Sequence, residues 1–463
     1  MWTQEAKVVL LMDRRKFLGS LGAVVLGTGP LGESLEAEQT QALSKPDFTL
    51  RIQPVTVELK PKQHFKTTGY NGGSPGPLIR VPEGKTISIE VFNDTDMQEI
   101  VHWHGLQVAS EVDGSMEEGT PPVPAHGSKR YTFTAKPSGT RWYHTHISAG
   151  RNLNRATYTG QFGFFYIEPR NEPGNYDLEA FLALREWDPF WTTQMGNGDS
   201  LDVGYKRFSI NDRSLGCGEP IRVKQGQRLM LRILNASATL LRRIAFAGHH
   251  FHVLALDGNP VPSPQEVECL ELGPAERVDA VVLMNNPGVW ILGATDDHDR
   301  NAGLGIVIEY AGKNGPPRWL PPANAPWSYV AFGTQKMQSE PVAPIPLVFQ
   351  RKFISSHWVD KWTINGKSFP ETDPVRVARD RLYRLVFDNQ SDEAHPVHLH
   401  RHTFELVKVA GQTTRGVRKD VVMVGAKAQV EADLIADNPG PTLFHCHNQM
   451  HMDFGFMTMF EYE

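Results

Sequence analysis

Ten of the 18 histidines and one of the three cysteines fall in four short motifs, two towards each end of the β-type sequence. The motifs are His102-Trp103-His104-Gly105, His144-Thr145-His146, His395-Pro396-Val397-His398-Leu399-His400, and His445-Cys446-His447 with His451 four residues on. Side chains alternate between the faces of a β-strand, so a His-x-His pair points two imidazoles the same way. Neutral imidazole suits copper, and a thiolate selects copper further. The motifs therefore predict copper sites.

The motif around Cys446 is the most informative. His445 and His447 face one side of a strand, whereas Cys446 faces the other. Cys446 can bind one copper ion while its covalent neighbours bind two others. Electrons could then pass from the thiolate to a copper cluster along a few bonds.

The elements that carry these motifs are short runs of alternating polarity separated by turn residues. Examples are Thr86–Val91, Arg130–Thr134 and Leu229–Leu234. This pattern is typical of half-buried strands and predicts an all-β chain of β-sandwiches. A weak repeat begins at Val81, Val223 and Val377 and recurs roughly every 150 residues, which indicates three domains. We expect domain limits of 48–170, 176–311 and 340–463, with linkers at 168–176 and 312–346.

The overall composition excludes some classes of function. The chain of 463 residues has a net charge of -5 and a pI near 6.4, which is too mild to indicate nucleic-acid binding. Three cysteines do not make a disulfide scaffold. Cys217 and Cys269 could pair in an oxidising compartment or remain free thiols, and the sequence leaves both possibilities open.

The first 40 residues resemble a twin-arginine export signal rather than a part of the fold. Arg14 and Arg15 precede a glycine- and leucine-rich stretch that is too short for a good membrane span. Met12 stands where such signals begin. We therefore expect export by the twin-arginine machinery, a periplasmic or secreted location, and no stable membrane anchor.

From Phe48 to the C-terminus the chain resembles the three-domain multicopper oxidases of the laccase type, because all four motifs occur in the family order. The resemblance implies three cupredoxin-like Greek-key domains and four copper ions per chain. It assigns type 1 copper to His395, Cys446 and His451, and type 2 copper to His102 and His398. It assigns one type 3 copper to His104, His144 and His447, and the other to His146, His400 and His445.

The family resemblance also implies a reaction. A reductant, which we expect to be phenolic or aromatic, gives single electrons to type 1 copper through His451, by resemblance the more exposed of its ligands. Four electrons then reduce O2 to water at the other three coppers, and Asp113 is the candidate acid for the protons. The main alternative is a Cu(I) oxidase, because Met450 and Met452 flank His451. A copper-free structural relative and a two-domain nitrite reductase are disfavoured by the complete ligand set.

Two positions depart from the family pattern. Thr442 stands where an aromatic residue is usual, and Phe456 replaces the more frequent axial methionine of type 1 copper. Outside the motifs, His249, His250 and His252 lack a following cysteine motif, so we interpret them as pocket or interface residues. His402 goes beyond its motif and is expected outside the copper ligands.

Overall fold

The part of the chain that carries the motifs is well covered by the structure, a computed structural model that describes residues 45–172, 174–194, 200–323, 326–334, 344–353 and 360–463. The predicted export signal over residues 1–40 lies outside the described residues. In the described ranges, no helix is both long and apolar enough to cross a membrane. Cys217, Cys269 and Cys446 are all free thiols.

The first β-sandwich joins two four-stranded sheets with the orders β2-β1-β4-β6 and β3-β8-β7-β5. A short helix, α1, and a 3-10 turn at Ala156–Tyr158 interrupt the strands. The bounds are β1 Phe48–Lys60, β2 Gln63–Tyr70, β3 Ile79–Pro82, β4 Thr86–Asn93, β5 Val101–His102, α1 Ser110–Asp113, β6 Ser128–Thr134, β7 Gly139–Thr145 and β8 Phe162–Glu168.

The second β-sandwich joins a six-stranded sheet, β10-β9-β12-β17-β14-β15, to a five-stranded sheet, β11-β19-β18-β13-β16. The bounds are β9 Leu178–Gln194, β10 Ser200–Ile210, β11 Ile221–Val223, β12 Arg228–Asn235, β13 Arg242–Phe246, β14 Phe251–Leu256, β15 Asn259–Val267, β16 Cys269–Leu272, β17 Arg277–Leu283, β18 Val289–Ala294, α2 Asp297–Asn301 and β19 Gly305–Tyr310.

The third β-sandwich follows a 3-10 turn at Tyr329–Phe332 and joins one sheet built on β21-β20-β23-β29-β25-β26 to another with the order β22-β31-β30-β24-β28. The bounds are β20 Pro344–Lys352, β21 Lys361–Ile364, β22 Val375–Val377, β23 Leu382–Asn389, β24 His395–Leu399, β25 Phe404–Val409, β26 Gln412–Thr413, β27 Arg418–Lys419, β28 Val421–Val424, β29 Gln429–Ile435, β30 Thr442–Cys446, α3 Gln449–Asp453 and β31 Met457–Tyr462.

Period-two burial explains why these segments form sandwiches. In β4 every second residue is buried, and Ile87, Ile89 and Val91 point into the core between the two sheets of the first sandwich. A second apolar cluster runs continuously through the second and third sandwiches. The prediction of an all-β chain of three cupredoxin-like sandwiches is confirmed.

Candidate metal centre

The four motifs lie on two pairs of neighbouring strands. Strands β5 and β7 are adjacent in the first sandwich, where His102 pairs directly with His144. Strands β24 and β30 are adjacent in the third, where His398 pairs with His445. The second histidine of each His-x-His pair lies just beyond its strand; these are His104, His146, His400 and His447. Histidines about 300 residues apart in sequence therefore meet at the ends of two sheets.

The pair His102 and His398 is oriented to hold a cation. Nδ1 of His102 lies 3.0 Å from the carbonyl oxygen of Asp113, and Nδ1 of His398 lies 2.7 Å from that of Asp420. A carbonyl only accepts hydrogen bonds, so each Nδ1 carries the ring proton and each Nε2 carries a lone pair. The two Nε2 atoms face each other at 3.4 Å. Two buried lone pairs at that distance repel unless a cation lies between them.

A set of three imidazoles, His104, His144 and His447, has a similar arrangement of ring nitrogens. His144 donates from Nδ1 to the carbonyl of Thr145, and His104 points Nε2 at the Asp420 carboxylate, 3.1 Å away. The remaining ring nitrogens converge. Nδ1 of His104 lies 3.4 Å from Nε2 of His144, which lies 3.4 Å from Nε2 of His447.

The third set contains His146, His400 and His445. Nδ1 of His400 donates to the Asp113 carboxylate at 2.8 Å, and Nδ1 of His445 donates to the Cys446 carbonyl at 2.9 Å. Their Nε2 atoms lie 3.0 Å apart, and Nε2 of His146 lies 3.3 Å from that of His445. Together, the eight imidazoles form one group of two and two groups of three. In each group the ring nitrogens that carry lone pairs point inward.

Burial keeps the imidazoles in the form that binds metal. It lowers the pKa of His146 to about 4 and that of His398 to about 3, and it lowers the pKa of His144 and His445 well below the ordinary value. Neutral imidazoles are the protonation state that metal binding requires. A cavity of about 10 Å³, enough for roughly one water molecule, adjoins His144, His146, His445 and His447.

A separate set combines one thiol with two imidazoles. Sγ of Cys446 lies 3.7 Å from Nδ1 of His395 and 3.6 Å from Nδ1 of His451. On the outer side, Nε2 of His395 contacts Ser391 Oγ at 2.8 Å, and Nε2 of His451 lies 3.2 Å from the Glu393 carboxylate. Burial raises the pKa of the Cys446 thiol. Two nitrogens and one sulfur in a buried triangle are a donor set that favours copper.

Two buried carboxyl groups adjoin the histidine sets. Burial raises the pKa of Asp113, but His102 and a hydrogen bond from Glu118 outweigh it and hold that pKa below its ordinary value. Burial and the charge of Asp113 raise the pKa of Glu118 well above its ordinary value. Glu118 is therefore the protonated partner and Asp113 the ionised one. Asp113 was predicted from the sequence, whereas Glu118 was not. Glu118 accepts a hydrogen bond from the backbone N–H of Leu443 at 2.6 Å.

Asp420 is a further residue that the sequence analysis missed. Its carboxylate accepts from His104 and forms ion pairs with Arg277 at 2.6 Å and Arg141 at 3.3 Å, all fully buried. Its partners come from the first and second sandwiches, whereas Asp420 belongs to the third, so no local motif marks it. The ion pairs with the two arginines outweigh burial and keep the Asp420 pKa below its ordinary value.

The chain is similar over nearly its whole length to known copper proteins. Three family models described as multicopper oxidase match residues 51–172, 199–312 and 343–463. Multicopper oxidase MmcO of Mycobacterium tuberculosis is 31% identical over 455 residues, covering 89% of this chain and 86% of the relative. The chain belongs to the multicopper oxidase family. It is therefore a copper-dependent oxidoreductase that uses O2.

Other relatives of this multicopper oxidase differ in function. Bilirubin oxidase of Albifimbria verrucaria is 24% identical over 444 residues, covering 89% of this chain and 76% of the relative. The crystal structure of a multicopper oxidase from Pseudomonas thermotolerans has 26% identity and a TM-score of 0.69, covering 90% of this chain and 98% of that one.

Aromatic rings enclose the thiol-containing set of this multicopper oxidase. The Trp362 ring lies 4.2 Å from the His451 ring, and the Phe456 ring lies 4.8 Å from the His395 ring, centroid to centroid. His451 retains only 2% of its side-chain exposure. His395 and Cys446 are fully buried, and Trp362 and Glu393 pack against the outer face of His451, so the three side chains hardly differ in exposure.

Histidines outside the motifs have other roles in this multicopper oxidase. His402 and His249 each use both ring nitrogens in hydrogen bonds, with Nε2 bonded to Tyr462 and Tyr310, respectively, at 2.6 Å. Neither has a nitrogen left for a metal. His250 and His252 line a surface pocket of the second sandwich.

Proposed function

We propose that this multicopper oxidase is laccase-like and couples one-electron oxidation of a phenolic or other aromatic reductant to four-electron reduction of O2 to water. The observation that carries the proposal is the position of Cys446. Its thiol belongs to one donor set, while its covalent neighbours His445 and His447 belong to the two three-histidine sets. Electron entry and oxygen reduction are thereby separate sites joined by one strand.

The donor sets fit four copper ions. Type 1 copper would be held by His395, Cys446 and His451, and type 2 copper by His102 and His398. The type 3 ions would be held by His104, His144 and His447, and by His146, His400 and His445. When bound, copper supplies the one-electron steps at the first site and the reduction of O2 at the other three.

The chain provides two short routes between the sites. One follows the covalent bonds from Cys446 to its neighbours. The other uses the hydrogen bond that His445 Nδ1 donates to the Cys446 carbonyl at 2.9 Å. Cys446, His445 and His447 are all buried, so both routes run through the protein interior.

Proton supply is assigned to Asp113, with Glu118 as its partner. Asp113 contacts His102 at 3.0 Å and His400 at 2.8 Å, so it touches two of the histidine sets at once. Burial and the charge of Asp113 raise the pKa of Glu118 well above its ordinary value, which favours the protonated form that donates a hydrogen bond to Asp113. A positioned carboxyl pair of this kind can transfer protons to a reacting oxygen species.

Electron entry is assigned to His451, and the structure favours an organic donor over Cu(I). Met450 and Met452, the two thioethers beside His451, are 9% and 5% exposed and pack into apolar clusters. Neither sulfur is available as a soft ligand for an incoming Cu(I) ion.

Oxygen uptake by the copper-loaded enzyme tests this function. Phenols, aromatic amines, Cu(I), Fe(II) and Mn(II) are supplied separately, and hydrogen peroxide is measured alongside. We expect the fastest uptake with phenols or aromatic amines, four donor molecules oxidised per O2, and no peroxide. Uptake with Cu(I) alone would establish the metal-oxidase alternative, and peroxide as the main product would refute a four-electron reaction.

Export through the twin-arginine machinery to the periplasm or the exterior is proposed from Arg14 and Arg15 alone. Changing both to lysine keeps the charge but removes the recognition pair. We expect the variant to accumulate in the cytoplasm and the wild-type protein to be found in the periplasm or the medium. Equal export of both proteins would refute this route.

A further inference from the structure

The outer face of the second sandwich carries a cluster of imidazoles and carboxylates that the copper sites do not use. A surface pocket of about 350 Å³ is lined by His250, His252 and Glu266, with Arg228 and Asn285 on its other walls. We infer that His250, His252, Glu266 and Glu268 form a binding site for a divalent transition-metal ion.

Strand register places the four side chains together. Strands β14 and β15 are antiparallel, with His252 opposite Glu266 and Phe251 opposite Val267. One step further along the same register, His250 stands opposite Glu268, and their side chains contact at 3.4 Å between Nε2 and Oε1. Alternate residues share a face, and the Cβ atoms of opposed residues lie about 5 Å apart. Two histidines and two glutamates therefore form a square on one face.

The donor types match a borderline divalent ion. Two carboxylates balance a charge of +2, and two neutral imidazoles complete a four-ligand set of nitrogen and oxygen. Such a set binds Cu²⁺ more tightly than Zn²⁺ and leaves Mg²⁺ and Ca²⁺ to all-oxygen sites.

Neighbouring residues limit the site to this square. His249 is excluded because its ring nitrogens bond to Ala247 and Tyr310. Arg228 belongs to β12, which is separated from β14 by β17, so its backbone lies roughly 10 Å away at about 4.8 Å per strand. The site is also open to ions, because the side chains of His250 and Glu268 are 58% and 36% exposed.

Equilibrium dialysis against Zn²⁺ tests the site. The enzyme is first loaded with copper, so that the buried ligands are occupied, and is then dialysed against a chelator, because the surface set would otherwise hold Cu²⁺. We expect one Zn²⁺ per chain, unaffected by excess Mg²⁺. His250→Ala and His252→Ala should each weaken Zn²⁺ binding at least about tenfold. The type 1 colour and the copper content of each variant report whether the fold and the copper sites are intact.

A matched control is His298→Ala, since His298 is an exposed histidine of the same sandwich that contacts an acid, Asp299, at 3.2 Å. It should leave Zn²⁺ binding unchanged. The proposal is overturned if the wild-type enzyme takes up no additional Zn²⁺, if Mg²⁺ displaces it, or if His298→Ala weakens binding as much as His252→Ala does.

Discussion

The carboxylate of Glu393 lies 3.2 Å from Nε2 of His451, on the side of the imidazole that faces away from Cys446. Arg351 holds the other oxygen of Glu393 at 2.9 Å. Burial raises the pKa of Glu393, but the interactions with His451 and Arg351 outweigh it and keep that pKa below its ordinary value. A negative charge therefore lies beside the proposed electron-entry residue, and it remains partly exposed.

Glu393→Gln should raise the type 1 potential. The carboxylate stabilises the more positive oxidised copper, and glutamine keeps the shape without the charge. We expect an increase of a few tens of millivolts, on the order of 1 kcal/mol of electrostatic interaction, together with a higher KM for aromatic amines. A redox titration followed by the type 1 colour measures it. Asp392→Asn is the control, since Asp392 is an exposed neighbour paired with Lys427; an equal shift in both variants would remove Glu393 from this role.

Phe456→Met should lower the type 1 potential. The Phe456 ring lies against His395, and a phenyl group donates no lone pair, whereas a thioether would stabilise the oxidised ion. Met457 packs in a different cluster with Leu443 and Met452. Met457→Leu should therefore hardly change the potential. If a redox titration gives the larger change for Met457→Leu, Met457 is the axial ligand and the assignment of Phe456 is wrong.

Much of this site could be predicted from sequence because its ligands occur as local motifs. Strand alternation and His-x-His spacing were sufficient to single out the imidazoles of the motifs, including His102 and His445. Asp420 and Glu118 could not be found in this way. Each acts through contacts with residues hundreds of positions away, such as Asp420 with His104 at 3.1 Å, and only the packed sandwiches create those contacts.

The solvent exposure of the site residues also could not be predicted from the sequence. The family resemblance implied only that His451 is the more exposed of the type 1 ligands, and the sequence could not show that Trp362 from β21 covers its ring through tertiary packing. Similarly, the alternation of β4 predicted which residues face the core, whereas the pairing of β5 with β7 depends on long-range contacts. Local periodicity determines which face of a strand a residue occupies, whereas packing across the whole chain determines which strands become neighbours.

Asp113→Asn should slow reoxidation of the reduced enzyme by O2, on the order of 100-fold, while reduction of type 1 copper stays normal. Asparagine keeps the hydrogen-bonding shape near His102 and His400 but removes the acid. Stopped-flow measurement of both half-reactions separates the two effects. Glu117→Gln is the control, because Glu117 is a half-buried neighbour that bonds to Ser115. An unchanged reoxidation rate at every pH would exclude Asp113 from proton transfer.

Copper uptake at the type 1 site should release one proton, from Cys446. Burial raises the pKa of this thiol, so it is protonated in the copper-free protein at neutral pH, and copper binds the thiolate. Type 1 affinity should consequently rise about tenfold per pH unit. The difference in proton release between the wild type and Cys446→Ser, measured from roughly pH 6 to 8 with an indicator dye, should stay near one proton. No difference, or a blue Cys446→Ser variant, would show that Cys446 is not the ligand.

The copper content of the fully loaded wild-type protein tests the central claim most directly. One thiol-containing set, one histidine pair and two sets of three histidines require four ions, because each set presents its own converging lone pairs. The protein is first dialysed free of loosely bound metal, including any metal held at the surface of the second sandwich. Elemental analysis should then give four copper ions per chain. One copper ion per chain, or none, would contradict the assignment.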